Sequence, residues 1–211
     1  MKKTSLLIAA IILSACTPDT SSTQVDSASE ATYTNSSQAV LDKYKQHYQV
    51  SANSNGVIIF DKPEQLFEAL NDYPSDSNQF EKINDKPLNI RLSSRTTQAS
   101  NPEVLKGETE ITLLYGILKV FANTNAESLN IKSVPIDEND KFLNQYALSL
   151  NVTREQVLKT LRELNLANSF DDLVETKQND QFRFIGLSGS KKYDDIVYKD
   201  NNRKELIKSL K

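Results

Sequence analysis

Cysteine is nearly absent from this chain: Cys16 stands alone among 211 residues. A lone cysteine excludes an intramolecular disulfide and any metal site built on several thiolates. Histidine is as scarce, with only His47, so the paired histidines of H-E-x-x-H zinc enzymes are missing. Tryptophan is absent, and an aromatic platform has to be made from the 8 Tyr and 8 Phe. None of the five glycines forms a P-loop or a G-x-G-x-x-G fingerprint, which removes the usual phosphate cradles. Positive charge is not in excess: 25 Lys+Arg face 28 Asp+Glu, a formal charge of −3. The small basic pairs, Lys191-Lys192 and Arg203-Lys204, are interleaved with acids, so no nucleic-acid partner is expected.

One apolar run exists, and it lies at the start. Lys2 and Lys3 are followed by Leu6–Leu13 (LLIAAIIL) and then Ser14, Ala15 and Cys16. A charged start, a short apolar stretch and small residues form a secretory signal peptide. The run is too short for a spanning helix, which needs about 20 residues. Leu13-Ser14-Ala15-Cys16 resembles the lipobox of bacterial lipoproteins. The resemblance implies diacylglyceryl transfer to the Cys16 thiol, cleavage after Ala15 and acylation of the new amino end. Cys16 is then the lipidation site and the bilayer the first partner. Two or more acyl chains, at about 0.8 kcal/mol per buried CH2, anchor a protein stably. By the same resemblance, Thr17 in place of an Asp favours the outer membrane over the inner. Removal of residues 1–15 takes away Lys2 and Lys3 and moves the formal charge from −3 to −5.

Three parts are expected: a signal peptide over 1–15, a lipidated cysteine with a flexible tether over 16–38, and one globular domain over 39–211. Half of the residues from Thr17 to Gln38 are Ser or Thr. Such a segment buries too little apolar surface to offset its ordering entropy. Beyond it, Val40–Val50 predicts a helix, with Val40, Leu41, Tyr44 and Tyr48 on one face. Val57–Phe60 predicts a strand, and Pro63 opens a second helix stopped by the turn-rich Asn71–Asn78. Leu88–Thr96 alternates like a half-buried strand. The strongest period covers Glu103–Asn123, where Ile111, Leu114, Tyr115, Leu118, Phe121 and Ala122 share a broad apolar face. Gly116 inside this helix costs about 1 kcal/mol relative to Ala, which a close helix–sheet approach would explain. Leu129–Ser133 predicts a strand and Asp140–Leu150 a helix. Another helix follows the capping-box pattern Thr153-Arg154-Glu155-Gln156. Phe182–Leu187 predicts a strand, and Arg203–Leu210 a closing helix. The expected fold is α+β: a single domain with a small mixed β-sheet packed by several amphipathic helices, after a disordered tether.

Chemistry-bearing patterns are few. Gly186-Leu187-Ser188-Gly189-Ser190 comes closest to a nucleophile elbow, but Ser190 replaces the closing glycine and no histidine follows. The carboxylate clusters Asp137-Glu138-Asn139-Asp140, Asp171-Asp172 and Asp194-Asp195 read as caps or solvated loops. The first departs from a calcium loop at Lys141. No catalytic residue, metal or cofactor is assigned. Arg91 and Arg95, taken to share the polar face of the 88–96 strand, are the candidate ligand-binding residues for a small anion.

Two classes of function remain. The first is a membrane-anchored, periplasm-facing, non-catalytic interaction module with an envelope protein partner, in an assembly, accessory, inhibitor or immunity role. It calls for an apolar or Tyr-rich surface patch flanked by polar residues. The second is an envelope hydrolase using carboxylates or His47, which needs a concave pocket where these groups converge. A carrier of small anionic ligands through Arg91 and Arg95 is a further alternative.

Overall fold

The computed structural model describes residues 38–74, 77–97, 101–175 and 186–211. The expected signal peptide, Cys16 and the tether up to residue 37 lie outside the described residues, as do residues 182–185 of the expected Phe182–Leu187 strand. In chain order the elements are a helix over 38–45 (α1), β1 (Val50–Ala52), β2 (Ile58–Phe60), α2 (Pro63–Leu70), β3 (Phe80–Asp85) and β4 (Leu88–Leu92). Then come α3 (Pro102–Asn123), β5 (Ser128–Ser133), β6 (Leu148–Thr153), α4 (Arg154–Glu163), α5 (Lys191–Tyr198) and α6 (Asp200–Ser209). The fold is α+β, as expected.

Helix α3 organises the rest. Asn101 caps it by accepting from the Val104 amide at 3.3 Å, and Pro102 stands in its first turn, where its missing N–H is not needed. Its C-terminal half is buried on nearly every side, including Lys119 and Asn123. One flank meets the four-stranded sheet, whose order is β3-β4-β5-β6. The outer pairs are antiparallel and β4–β5 is parallel, so α3 is the crossover of a βαβ unit. Gly116 sits at the closest approach. A Cβ there would lie 2.4 Å from Ile131 Cδ1 and 2.6 Å from Leu92 Cδ1. The glycine lets helix and sheet touch, as its position inside a helix suggested. The other flanks of α3 meet α2, α5 and α6.

The sheet buries one face. Leu88, Ile90, Leu92, Leu129, Ile131, Leu150 and Val152 turn toward α3, and their neighbours turn to solvent. Register brings Asn89, Asn130 and Asn151 side by side on the open face, next to a row of Arg91, Lys132 and Ser149. A smaller core of Leu41, Tyr44, Ile58, Phe60, Leu66 and Leu187 seals α1 and the β1–β2 hairpin onto the domain.

Several expectations are corrected. The first helix ends at residue 45 rather than 50, because Val50 pairs with Phe60 in the hairpin. Tyr48 still packs on Tyr44 and Phe60. Asp140–Leu150 is not a helix: it holds a 3-10 turn at Asn144–Tyr146 and then enters β6. Leu148, Leu150 and Val152 alternate with Ser149, Asn151 and Thr153, and pairing with β5 selects that period of two. The Leu88–Thr96 strand stops at Leu92, so Arg95 is not on the same strand as Arg91. Strand β3 and helix α5 were not foreseen. The first is a polar edge strand with little apolar patterning, and the second is an eight-residue helix. The capping-box helix is present as α4, with Thr153 Oγ1 accepting from the Gln156 amide at 3.1 Å.

Candidate functional site

Four tyrosines, two aspartates and a lysine, from three distant stretches of chain, meet where the exit of α2, the middle of α3 and α5 come together. Asn71 ends α2 in the left-handed region (φ 56°), which asparagine tolerates better than most residues. The chain turns back there, and Tyr73 packs edge-on against Phe67 and at 5.5 Å from the ring of Tyr115 on α3. Tyr115 and Lys119 are one helical turn apart, so both reach the same neighbour, Tyr193 on α5. Helix α5 starts at Ser190, whose Oγ accepts from the Tyr193 amide at 3.3 Å and donates to Asp172 O at 2.6 Å. Ser190, which stands where the elbow-like motif would need its closing glycine, is thus a helix cap. Gly189 clears the ring that follows, since a Cβ there would lie 2.6 Å from Tyr193 Cδ1.

Polar groups in this cluster are unequally satisfied. The Tyr115 hydroxyl donates to the Asp72 carboxylate, and the Tyr73 hydroxyl lies 3.5 Å from Thr112 Oγ1. Lys119 donates its ammonium to Leu187 O and lies 5.0 Å from the centre of the Tyr193 ring. Tyr193 is 4% exposed, and its hydroxyl has no hydrogen-bond partner. Asp72 and Asp194 form no ion pair among the described residues. Tyr198, 57% exposed, stands at the rim and is with Ile83 one of two large hydrophobic side chains so exposed among the described residues. Burial pushes the phenols of Tyr73, Tyr115 and Tyr193 above the ordinary tyrosine range, so they stay protonated donors at neutral pH. Burial also pushes Lys119 down to about 8, against the opposing pull of Asp72 and Asp194.

The residues singled out from sequence lie elsewhere. Cys16 is outside the described residues. Arg91 pairs with Glu81 at 2.9 Å, donates to Asn78 O and Ser93 Oγ, and lies 4.4 Å from the centre of the Phe142 ring. Arg95 pairs with Asp140 and reaches Asp137 O and Glu138 O. Both guanidinium groups are engaged by the chain's own acceptors. His47 is exposed beyond α1 against the ring of Tyr48.

The acid clusters serve local structure. Asp137 accepts from the amides of Asn139 and Lys141, Asp171 from the side chains of Asn53 and Asn55, and Asp172 from the Asn168 amide. Asp195 is held by Lys191 and Lys199. Two open clefts are described. One, about 690 Å³, balances Lys62, Lys82 and Lys86 against Asp61, Asp85 and Glu127. The other, about 340 Å³, runs past Lys106, Glu110 and Tyr146. His47 lines neither. Among the described residues no group of three metal-ligating side chains occurs, and no helix is long and apolar enough to cross a membrane.

Sequence reading missed the tyrosine cluster because its members come from three stretches dozens of residues apart, and two of its four tyrosines sit on the unforeseen α5. Its one sequence signal is the Tyr115–Lys119 spacing, where a lysine interrupts an apolar helix.

No family model and no solved structure matches this chain. A curated relative is 32% identical over 158 residues, covering 70% of this chain and 73% of its own length. That relative is the ancillary SecYEG translocon subunit of Buchnera aphidicola subsp. Acyrthosiphon pisum.

Proposed function

We propose, because this chain belongs to the family of the ancillary SecYEG translocon subunit, that it is a non-catalytic accessory protein that works at a membrane by docking onto a translocon. The family relationship carries this reading. The tyrosine–aspartate cluster supports it by offering a packed, partly exposed aromatic patch of the kind that protein partners use. The hydrolase alternative gains no such support, with His47 on open surface and Asp137, Asp172 and Asp195 engaged in turns, caps and ion pairs. The anion-carrier alternative fares no better while Glu81 and Asp140 occupy Arg91 and Arg95.

In this reading lipid on Cys16 holds the chain, and the Ser/Thr-rich stretch after it is the spacer. A flexible linker of that length has a root-mean-square span on the order of 25 Å, enough to stand a domain off the head groups. Thr17 spoke for the outer membrane, but a translocon partner does not support that preference. The anchoring membrane is the one that carries the translocon.

Full chain and Cys16→Ala, each affinity-tagged at the carboxyl end, separate the parts of this proposal. The full chain should sediment with membranes, carry acyl mass on an amino-terminal cysteine, and bring translocon subunits with it from detergent extracts. Cys16→Ala should leave the membrane fraction or persist as unprocessed precursor. A normally processed, membrane-bound Cys16→Ala protein would remove the lipid tether from the account. Full chain that purifies without translocon subunits would remove the accessory role.

A further inference from the structure

We infer that strand β6 accepts an extended segment of a second partner protein as a fifth strand of the sheet, and that an acidic side chain near the carboxyl end of that segment seats in the cleft at the start of β6, against Lys106 and Lys211. The inference goes beyond docking onto a translocon, because this surface shares no residue with the tyrosine patch.

Three observations meet at this edge. The first is how the two ends of the sheet differ. Strand β3, at one edge, carries Glu81, Lys82 and Asp85 and a register shift between Lys82 and Asn84. Charges and bulges of that kind discourage a neighbour from pairing. Strand β6, at the other edge, reads Leu-Ser-Leu-Asn-Val-Thr, with no charge and no proline, and pairs all six residues with β5 in one unbroken register. Beyond β5 and the first turn of α4, no backbone hydrogen bond reaches it among the described residues. Its outward N–H and C=O groups are therefore a template for another strand. The second is the cleft of about 340 Å³ between the entry to β6 and the N-terminal half of α3. An added strand would run about 4.8 Å from β6, with its side chains alternating in step with those of β6. Laid antiparallel, its carboxyl end reaches Leu148, which lines the cleft together with Tyr146. Strand addition takes its affinity from the main chain and its specificity from such a pocket. The third is charge. Lys106 and Lys211 line the cleft, and neither has an ion-pair partner among the described residues. The acid in its wall, Glu110, is held by Arg203 at 3.3 Å. A carboxylate on the incoming segment answers the two lysines, whereas a basic residue would add a third unpaired ammonium.

The test uses the full chain in non-ionic detergent and the peptide acetyl-Thr-Val-Thr-Val-Thr-Glu-amide, which sets its valines against Val152 and Leu150 and its glutamate against Leu148. One control carries glutamine in place of glutamate, and another a methyl group on every valine and threonine nitrogen. Backbone amide shifts should move saturably at residues 102–110 and 145–153 with the glutamate peptide, and hydrogen exchange of β6 amides should slow. The glutamine peptide should bind about tenfold more weakly, the scale of one charge-assisted hydrogen bond. The N-methylated peptide should not bind. Lys106→Glu, at an exposed position with no ion pair to lose, should erase the preference for glutamate with the melting temperature little changed. Shifts located elsewhere, binding of the N-methylated peptide, equal affinity for the glutamate and glutamine peptides, or a preference that survives Lys106→Glu would each overturn the inference. Recovery of translocon subunits is untouched by any of these outcomes, so the accessory role stands or falls separately.

Discussion

Arg203→Met should destabilise the protein by about 3–5 kcal/mol, the usual consequence of removing one partner of a buried ion pair. Arg203 and Glu110 expose only 4% and 9% of their side chains, and they meet at 3.3 Å between α6 and α3. The guanidinium also donates to Val197 O at 3.2 Å and pairs with Asp200. One side chain thereby ties α6 to α3 and to the end of α5. Methionine fills a similar volume but leaves the Glu110 carboxylate buried with no cation and Val197 O without that donor. Thermal unfolding should shift down by roughly 10 °C, at about 2–4 °C per kcal/mol for a chain of this size. Glu110→Leu combined with Arg203→Met removes both charges and should recover most of the loss, since an apolar replacement of a whole buried pair is often neutral. A double variant no more stable than Arg203→Met would show that the helix contacts, not the stranded charge, set the loss.

Stability should also rise between pH 8 and pH 10, by as much as about 3 kcal/mol, and Lys119 is the cause. Its folded-state pKa, pushed down to about 8 by burial, lies below the ordinary value near 10.5. Below pH 8 both states carry the proton, and the folded state bears the whole cost of a buried ammonium. Between 8 and 10.5 the folded state releases the proton first. The unfolded chain then binds more protons, and stability climbs with pH. The free amine can still donate to Leu187 O. Above about pH 10 the sign reverses, because unfolded tyrosines ionise while Tyr115 and Tyr193, raised by burial, stay neutral. Urea titrations from pH 7 to 11 should therefore show a maximum near pH 10. Lys119→Met should be flat from 8 to 10 and keep the fall above it. A wild-type profile that only declines across this range would contradict the assignment.

Much of the fold was legible because it follows local periodicity. Helix α3, the strands at Ile58 and Leu129, and the helix starts at Pro63 and Thr153 all announce themselves within a dozen residues. Gly116 was legible in part, as a cost inside a helix that a close helix–sheet approach would explain. Strand β3 was not, because an edge strand need not carry an apolar pattern: Glu81, Ile83, Asn84 and Asp85 all face water. Nor was β6, where Leu148, Leu150 and Val152 satisfy a strand period that only pairing with β5 distinguishes from a helical one. The site was almost wholly illegible. Asp194 read as one acid of a pair, and Tyr115 as one apolar position on a helix face. Only the packing of α5 against α3 makes them neighbours. Arg91 and Arg95, conspicuous in sequence as unpaired cations, have their counter-ions on β3 and in the Asp137–Asp140 turn.

The account stands on docking through the tyrosine patch onto a translocon, and photo-crosslinking from that patch in native membranes tests it most directly. A benzophenone amino acid in place of Tyr198 should give adducts with translocon subunits, and the same group in place of Asn151, exposed on the open sheet face, should give none. Translocon adducts absent at 198, or no stronger there than at 151, would contradict it.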